Sequence, residues 1–194
     1  MSALTVDHGP EQGWDDLVRL WKEKDAPEGC KVEIIEGIIT VSPSPSWDHN
    51  STAYLLLLRL ASVIPGNWRV FQTQEAAVPG RKGLYIPDLM VASQADRSAP
   101  GEIFPASRAK LVVEITSRGN AHHDRIAKAH GYAQAGVPLY LLLDPWASDS
   151  PTATLYGDPE GGTYRMLETV AYGGKLTLPA PFDLAIDTAE FPVS

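Results

Sequence analysis

The spacing of apolar residues predicts a helix near the start of the chain and a β-hairpin after it. Apolar side chains recur at i, i+3, i+4 and i+7, which is the spacing of one helix face. They are Trp14, Leu17, Val18 and Trp21. Two runs rich in β-branched residues, 32–35 and 38–41, then flank Glu36-Gly37, a pair typical of a hairpin turn.

A long apolar segment predicts a second helix that ends near Val63. Ser46 or Asp48 can cap its start, and Pro65-Gly66-Asn67 stops it. Residues 53–58 are almost entirely apolar, which indicates that more than one side of this helix is buried.

The middle of the chain predicts paired strands followed by a strand–helix–strand unit. Residues 68–78 and 84–92 are β-rich, and Pro87 interrupts the second run, so Asp88 is expected at an edge, bend or bulge. Residues 110–116 and 139–143 are continuous apolar runs typical of central strands, and a helix over 121–135 lies between them. If both strands share a sheet, their connection must be a right-handed parallel crossover.

The C-terminal third predicts a hairpin over 152–156 and 163–170 and a short strand at 175–178. The order of elements predicts an α/β fold with α+β character, in which helices flank a mixed sheet. Since no repeat or linker-like tract divides the sequence, we expect one domain over residues 1–194. Residues 1–30 form a helical extension in this interpretation.

Composition excludes several classes of protein. Cys30 is the one cysteine of the 194 residues, so neither an intrachain disulfide nor a cysteine-based zinc site can form within the chain. The apolar stretch at 53–58 ends at Arg59, far short of the roughly 20 residues that a membrane span needs. The first dozen residues lack a basic cluster followed by an apolar run. We therefore expect a cytoplasmic protein with no membrane partner.

The net charge of −8 argues against a large nucleic-acid-binding surface, because phosphate neutralisation requires basic residues. The charge is nevertheless unevenly distributed. Residues 108–131 hold five bases and two acids, a local charge of +3. The bases are Arg108, Lys110, Arg118, Arg125 and Lys128.

Two carboxylates and a lysine form the best candidate for a chemical site. Asp88 follows the interruption at Pro87, and Glu114 lies inside an apolar run, where an unpaired carboxylate would be costly to bury. One helix stripe at i, i+4 spacing consists of Asp124, Lys128, Tyr132 and Ala135. If that stripe faces the sheet, Lys128 can reach Glu114. Paired carboxylates suit Mg²⁺, which prefers oxygen ligands. The alternative is a buried ion pair of Glu114 and Lys128.

A series of short motifs follows the chain in order. They are Val32-Glu33-Ile34-Ile35-Glu36-Gly37, Ser42-Pro43-Ser44-Pro45 with His49, Ile86-Pro87-Asp88, Leu111-Val112-Val113-Glu114-Ile115-Thr116-Ser117, Asp124-Arg125-Ile126-Ala127-Lys128, Tyr132-Ala133-Gln134-Ala135-Gly136-Val137-Pro138-Leu139-Tyr140 and Leu143-Asp144-Pro145. In this combination the sequence resembles the Uma2 family of predicted restriction endonucleases, a branch of the PD-(D/E)XK nuclease superfamily. The resemblance extends from about Val32 to Phe191 and implies a restriction-endonuclease-like fold.

The resemblance also implies a catalytic site. It assigns a Mg²⁺ ion, for which Mn²⁺ can substitute, to Asp88, Glu114 and the backbone carbonyl of Ile115. The superfamily commonly has its lysine two residues after the glutamate, which is Thr116 in this chain. In this branch the lysine has moved to the helix, and Lys128 matches that place.

Three further positions enter through the resemblance. Glu36 resembles the additional N-terminal acid of the superfamily, although the family more often has Asp there. His49 is expected near the site or exposed on the first turn of its helix. Arg118 stands where the family usually has Pro, so the loop after Glu114 is expected to differ in shape.

These observations support two functions of different kinds. The first is a Mg²⁺-dependent endonuclease acting on DNA, in which Asp88 and Glu114 hold the metal, water attacks phosphorus and Lys128 stabilises the developing charge. A homodimer is expected, because cutting both strands commonly requires two sites. The second is a nuclease-fold binding or assembly module that no longer cuts, which the acidic net charge favours.

A third and weaker interpretation is a zinc hydrolase built on histidine. His122, His123 and Asp124 would supply ligands, with His49 as a remote nitrogen. Adjacent helix residues point about 100° apart, so the two neighbouring histidines can hardly share one ion.

Overall fold

Three helices and two six-stranded sheets make up most of the described chain, which comprises residues 4–6 and 13–192 of a computed structural model. The helices are α1 (Trp14–Glu23), α2 (Trp47–Val63) and α3 (Ala129–Gln134). The strands are β1 (Leu4–Val6), β2 (Lys31–Ile35), β3 (Ile38–Ser42), β4 (Trp68–Phe71), β5 (Ala76–Val78), β6 (Gly83–Tyr85), β7 (Leu89–Ser93), β8 (Phe104–Pro105), β9 (Leu111–Ile115), β10 (Leu139–Asp144), β11 (Thr152–Glu160), β12 (Thr163–Ala171), β13 (Lys175–Leu178) and β14 (Leu184–Asp187).

Both large sheets are mixed, which confirms the α/β fold class. The first has the strand order β1-β3-β2-β6-β5-β8, and the second has the order β12-β11-β10-β9-β7-β4. Within the second sheet β9 and β10 run parallel, with Glu114 beside Leu142. The predicted parallel pairing around the central helix is therefore correct. The C-terminal hairpin is also present, and β13 pairs with β14, a strand that the sequence pattern did not reveal.

The hairpin of β2 and β3 turns at Glu36-Gly37, as predicted. Both residues have positive φ, 50° and 83°, as a two-residue type I′ turn requires. Leu17 of α1 packs on this hairpin in a buried apolar cluster. Strand β1 pairs with the outer side of β3. Residues 1–30 thus contain a strand of the sheet as well as the expected helix.

Two predicted strands are each divided between the sheets. The run 68–78 becomes β4 in the second sheet and β5 in the first, with Thr73 at a positive φ of 56° between them. The run 84–92 becomes β6 and β7, because Pro87 lacks the N–H that would continue the ladder. Asp88 therefore lies where the chain crosses from one sheet to the other, at the bend that the sequence predicted.

The central strand β9 separates two apolar cores. Leu111, Val113 and Ile115 pack in a cluster with buried side chains of α2, whereas Val112 packs with Tyr132 and Tyr140 on the opposite face. Because side chains alternate across a strand, Glu114 lies on the same face as Val112.

The helix expected over 121–135 is not uniform. Residues His123–Lys128 form a π-helical turn that leads into α3, and Gly136 ends α3 with a φ of 75°. Both Asp124 and Lys128 are buried in this turn. Single π-helical turns occur frequently at functional sites. In the described part of the chain no helix is long and apolar enough to cross a bilayer.

The close approach of Gly131 to Tyr85 gives a test of this packing. A Cβ atom on Gly131 would clash with the Tyr85 hydroxyl, and the Tyr85 side chain is fully buried. We expect Gly131→Ala to lower the free energy of unfolding by about 1–3 kcal/mol, because overpacked cores must shift. Thermal melts measure this, with Gly66→Ala as a control that meets nothing within 4 Å. Equal melting temperatures for the two variants would contradict the packing.

Candidate active site

Asp88 is fixed against the end of strand β9. Leu89 pairs with Val113 where the ladder between β7 and β9 ends, and Asp88 precedes that pair. The Asp88 N–H donates to the Val113 carbonyl at 3.1 Å, and the Ile115 N–H donates to Asp88 Oδ2 at 2.8 Å. Asp88 is therefore bonded to the residues on either side of Glu114, which brings the two carboxylates close together.

The other oxygen of Asp88 binds two basic side chains. Oδ1 lies 2.6 Å from Lys31 Nζ and 3.0 Å from His49 Nε2. Lys31 comes from β2, and His49 comes from the first turn of α2, which is capped by the Ser46 hydroxyl. Burial opposes ionisation of Asp88, but the Lys31 charge and the His49 hydrogen bond outweigh it and hold the pKa of Asp88 well below its usual range.

A second buried cluster surrounds Lys128. Its Nζ lies 2.9 Å from Glu33 Oε1, 3.2 Å from Glu114 Oε1 and 3.1 Å from Asp124 Oδ1. The lysine is only 2% exposed. Burial by itself would lower the pKa of Lys128, but the charges of Asp124, Glu114 and Glu33 raise it well above its ordinary value. Lys128 therefore stays protonated.

Glu114 also accepts a hydrogen bond from the Tyr132 hydroxyl at 2.9 Å. This bond and the one from Lys128 both fall on Oε1. Burial raises the pKa of Glu114 well above its ordinary value; Lys128 opposes the shift, and the charges of Asp124 and Asp88 add to it. Burial likewise raises the pKa of Asp124 against the opposing charge of Lys128.

The two clusters carry unbalanced charge. Their four buried carboxylates are opposed by two ammonium groups, so the formal charge is −2 when His49 is counted as neutral. The carboxylates are those of Glu33, Asp88, Glu114 and Asp124. Burial is the main cause of the raised pKa of Glu114 and of Asp124, and the neighbouring negative charges add to it.

A cavity of about 250 Å³ opens over these residues. Its walls are the segments 42–46 and 117–120, together with the first turn of α2. Asn120 donates to the Ser42 hydroxyl at 2.9 Å, which joins the first two walls. Each carboxylate of the clusters lines the cavity, as does Ile115.

The donors at this cavity fit a hard divalent cation. A carboxylate has about four acceptor sites. Asp88 uses three of them and Glu114 uses two, both on Oε1, so oxygen lone pairs remain for a cation. Among residues 4–6 and 13–192 no three Asp, Glu, His or Cys side chains form a complete metal cage. Mg²⁺ does not need one, because it usually keeps several waters and binds through one or two carboxylates.

The structure brings most of the predicted site residues together, with one correction. Asp88, Glu114, Ile115, Lys128 and His49 all line the cavity. Glu36 does not: it is exposed in the hairpin turn, forms an ion pair with Arg81 and is absent from the cavity walls. The side chain that the same hairpin supplies is that of Glu33, three residues earlier.

Thr116 and the histidine pair have other contacts. Thr116 donates to Asp144 Oδ1 at 2.7 Å, and Arg125 binds the same carboxylate through two nitrogens. Thr116 therefore supports the wall of the cavity.

The rings of His122 and His123 are centred 6.3 Å apart, and within the described ranges they belong to no metal-binding group.

Lys31 and Glu33 were not identified as site residues from the sequence. Glu33 carries the signal that identified Glu114, a charged residue inside a β-branched apolar run, and it is 1% exposed. Its oxygen also accepts a hydrogen bond from the Ile86 N–H at 2.7 Å, which secures the bend before Asp88. Lys31 lies two residues before Glu33 and thus on the same face of β2.

This architecture, with a carboxylate–lysine cluster where two mixed sheets meet, is a restriction-endonuclease-like fold. The model of the Uma2 family, described as "Putative restriction endonuclease", matches residues 14–189. The chain belongs to the Uma2 family.

A solved structure from Anabaena variabilis, described as "a putative nuclease belonging to DUF820", is similar in fold. The TM-score is 0.67 at 18% identity, and the alignment covers 93% of this chain and 97% of that one. No curated protein matches the sequence.

The raised pKa of Glu114 gives a prediction about stability and pH. Between the unfolded and folded pKa values of Glu114, the folded state binds more protons than the unfolded state, so this carboxyl makes stability fall as pH rises. Glu114→Gln removes that fall and still leaves Lys128 paired with Glu33 and Asp124. In EDTA we expect the variant to gain melting temperature relative to wild type as the pH rises above the ordinary pKa of a glutamate, by about 2–4 °C for each kcal/mol.

The control for this experiment is Glu160→Gln, which alters an exposed carboxylate on β11 and should show no such trend. A loss at pH 8 of about 3–5 kcal/mol in Glu114→Gln would contradict the account. That loss is the cost expected if Glu114 were the essential partner of a stranded Lys128.

Proposed function

We propose that this protein is a metal-dependent endonuclease that hydrolyses phosphodiester bonds of DNA. The observation that carries the proposal is the pair of carboxylates at one cavity, Asp88 and Glu114, with the ammonium group of Lys128 3.2 Å from Glu114. Family membership supports a nuclease, and the accessible cavity provides room for a phosphate group.

In this proposal Asp88, Glu114 and the carbonyl of Ile115 hold Mg²⁺, or Mn²⁺ in its place. A divalent cation at this position would orient and acidify the attacking water and neutralise charge on the phosphate. The formal charge of −2 on the two clusters matches the charge of one such ion.

The chain's own residues then have distinct tasks. Lys128 remains protonated and places positive charge beside the site, where it stabilises negative charge developing on the phosphate oxygens. Glu33 and Asp124 hold the Lys128 ammonium in place, and they do so without contacting the substrate. Glu33 takes the supporting role that the sequence assigned to Glu36.

Asp88 and Glu114 are held by neighbouring side chains as well. Lys31 and His49 fix the direction of the Asp88 carboxylate. The Tyr132 hydroxyl fixes Oε1 of Glu114 and leaves Oε2 without a hydrogen bond to any described residue. Such supporting hydrogen bonds maintain the geometry that a metal ligand needs.

The substrate and setting are part of the same proposal. We infer a DNA substrate, a cytoplasmic location and a homodimer in which each protomer cuts one strand. The formal charge of −8 implies that binding depends on few basic contacts and on the metal ion.

Plasmid nicking tests the proposed activity. Supercoiled DNA is incubated with Mn²⁺ or Mg²⁺ and with wild type, Asp88→Asn, Glu114→Gln or the control Glu160→Gln. We expect metal-dependent nicking by wild type and by Glu160→Gln, and a loss of about 100-fold or more in the two site variants. Altering even the supporting residues of a metal site commonly costs about 10–100-fold.

Nicking that survives in Asp88→Asn and Glu114→Gln would refute the assigned site. The absence of metal-dependent cleavage of duplex and single-stranded DNA by the wild type would refute the proposed activity and favour the non-cutting binding module.

A further inference from the structure

The three cations that line the cavity differ in their partners. Lys31 is bound to Asp88, and Lys128 is surrounded by three carboxylates. Arg118 also lines the cavity, yet no carboxylate of the described residues lies within ion-pair distance of it. Arg118 is thus a cavity cation whose charge no described carboxylate neutralises.

Arg118 is held by an aromatic ring instead. Its guanidinium carbon lies 4.3 Å from the centre of the Trp146 ring, which is a cation–π contact. This contact lies at the cavity wall, since Trp146 is also part of the lining. Stacking restricts the long arginine side chain, so less conformational freedom is lost when the guanidinium binds a ligand.

The backbone of Trp146 is anchored to the sheet. Its backbone N–H donates to Asp144 Oδ1 at 3.2 Å, and its backbone carbonyl accepts from Arg125 at 2.8 Å. Asp144 is the last residue of β10 and also receives the Thr116 hydroxyl. Through Trp146 and Asp144, Arg118 is therefore connected to the ends of β9 and β10, where Glu114 and Ile115 lie.

The stacked geometry leaves the donors of Arg118 available. A guanidinium that stacks through its face keeps its N–H groups at the edge of the plane. Those donors match two oxygens of one phosphate in a bidentate arrangement. No described residue accepts a hydrogen bond from the Arg118 side chain. Arg125, in contrast, donates hydrogen bonds to Asp144 and to the Trp146 carbonyl.

The charge of the cavity explains why such a residue is needed. Five acids and three bases line the cavity, because Asp48 and Arg118 add to the buried clusters. A polyanion that approaches this surface is repelled unless a cation outside the clusters meets it. Among the cavity-lining cations, Arg118 alone is not engaged with a described carboxylate.

We propose that Arg118, stacked on Trp146, binds a backbone phosphate of the nucleic acid next to the bond that is cut. This inference rests on the proposed function and adds to it a substrate-binding residue outside the metal site. Arg118 then positions the substrate through charge and bidentate hydrogen bonds, and Trp146 acts as a positioning residue through Arg118.

The experiment is equilibrium binding of a fluorescent 20-base-pair DNA duplex in Ca²⁺ at several salt concentrations. We expect Arg118→Ala to bind about 5–10-fold more weakly. The slope of log K against log salt should also decrease by about 1, because one phosphate contact is lost. The control Arg97→Ala removes an exposed arginine at the opposite end of β7 and should change the affinity less than about twofold, as expected for a cation outside the binding cavity.

Two further variants separate charge from position. Arg118→Lys keeps the charge, so its salt slope should equal that of wild type. Trp146→Leu also keeps the charge but releases the guanidinium, and it should weaken binding with the salt slope unchanged. A thermal melt of Trp146→Leu establishes that the variant is folded.

The possible results distinguish this inference from the proposed function. If wild type binds and Arg118→Ala binds as well as Arg97→Ala, the role of Arg118 is refuted and the proposed function stands. If wild type itself binds neither duplex nor single-stranded DNA, the role of Arg118 and the proposed function are both refuted. The wild-type measurement alone then shows that the proposed function has failed. Weakened binding by Arg118→Ala without any cleavage by wild type supports the phosphate contact of Arg118 but refutes the nuclease, and with it the placement of that contact beside a bond that is cut.

Discussion

The buried ammonium group of Lys128 is the interaction on which the rest of the site depends. Three carboxylates surround it, from β2 of the first sheet, β9 of the second sheet and the π-helical turn before α3. A buried charge is tolerated only with close partners, so Lys128 favours the arrangement in which these elements meet. The bend at Asp88 is fixed at the same junction, because Glu33 also accepts the Ile86 N–H.

The buried carboxylates of the site outnumber its ammonium groups, and this excess of negative charge connects stability to function. Lys128 and Lys31 offset two of the four carboxylates, and burial raises the pKa of Glu114 and of Asp124. A protein selected for stability alone could replace these groups with apolar side chains at little cost. An excess of buried carboxylates facing a cavity is typical of a site that gives up stability for chemistry.

Local patterns predicted the parts of this site that depend on one element at a time. Strand alternation placed Glu114 on the face opposite Ile115, and helix spacing brought Lys128 toward it. The sequence could not show that residues 84–92 divide between two sheets, since each half has a strand pattern of its own. The resemblance pointed to Glu36, and Glu33 was not singled out, because its burial depends on contacts between distant segments. Lys31 was missed for the same reason: its partner, Asp88, lies 57 residues away in the chain.

Calorimetric titration with Mn²⁺ tests the central claim most directly, namely that Asp88 and Glu114 form one cation site. Carried out at one pH in two buffers of different ionisation enthalpy, it counts the bound ions and the protons released. The account predicts one ion per chain for wild type, and any protons released come from Glu114 and Asp124, whose pKa values burial raises. It also predicts loss of binding in Asp88→Asn. No binding by wild type, or equal binding by Asp88→Asn, would contradict it.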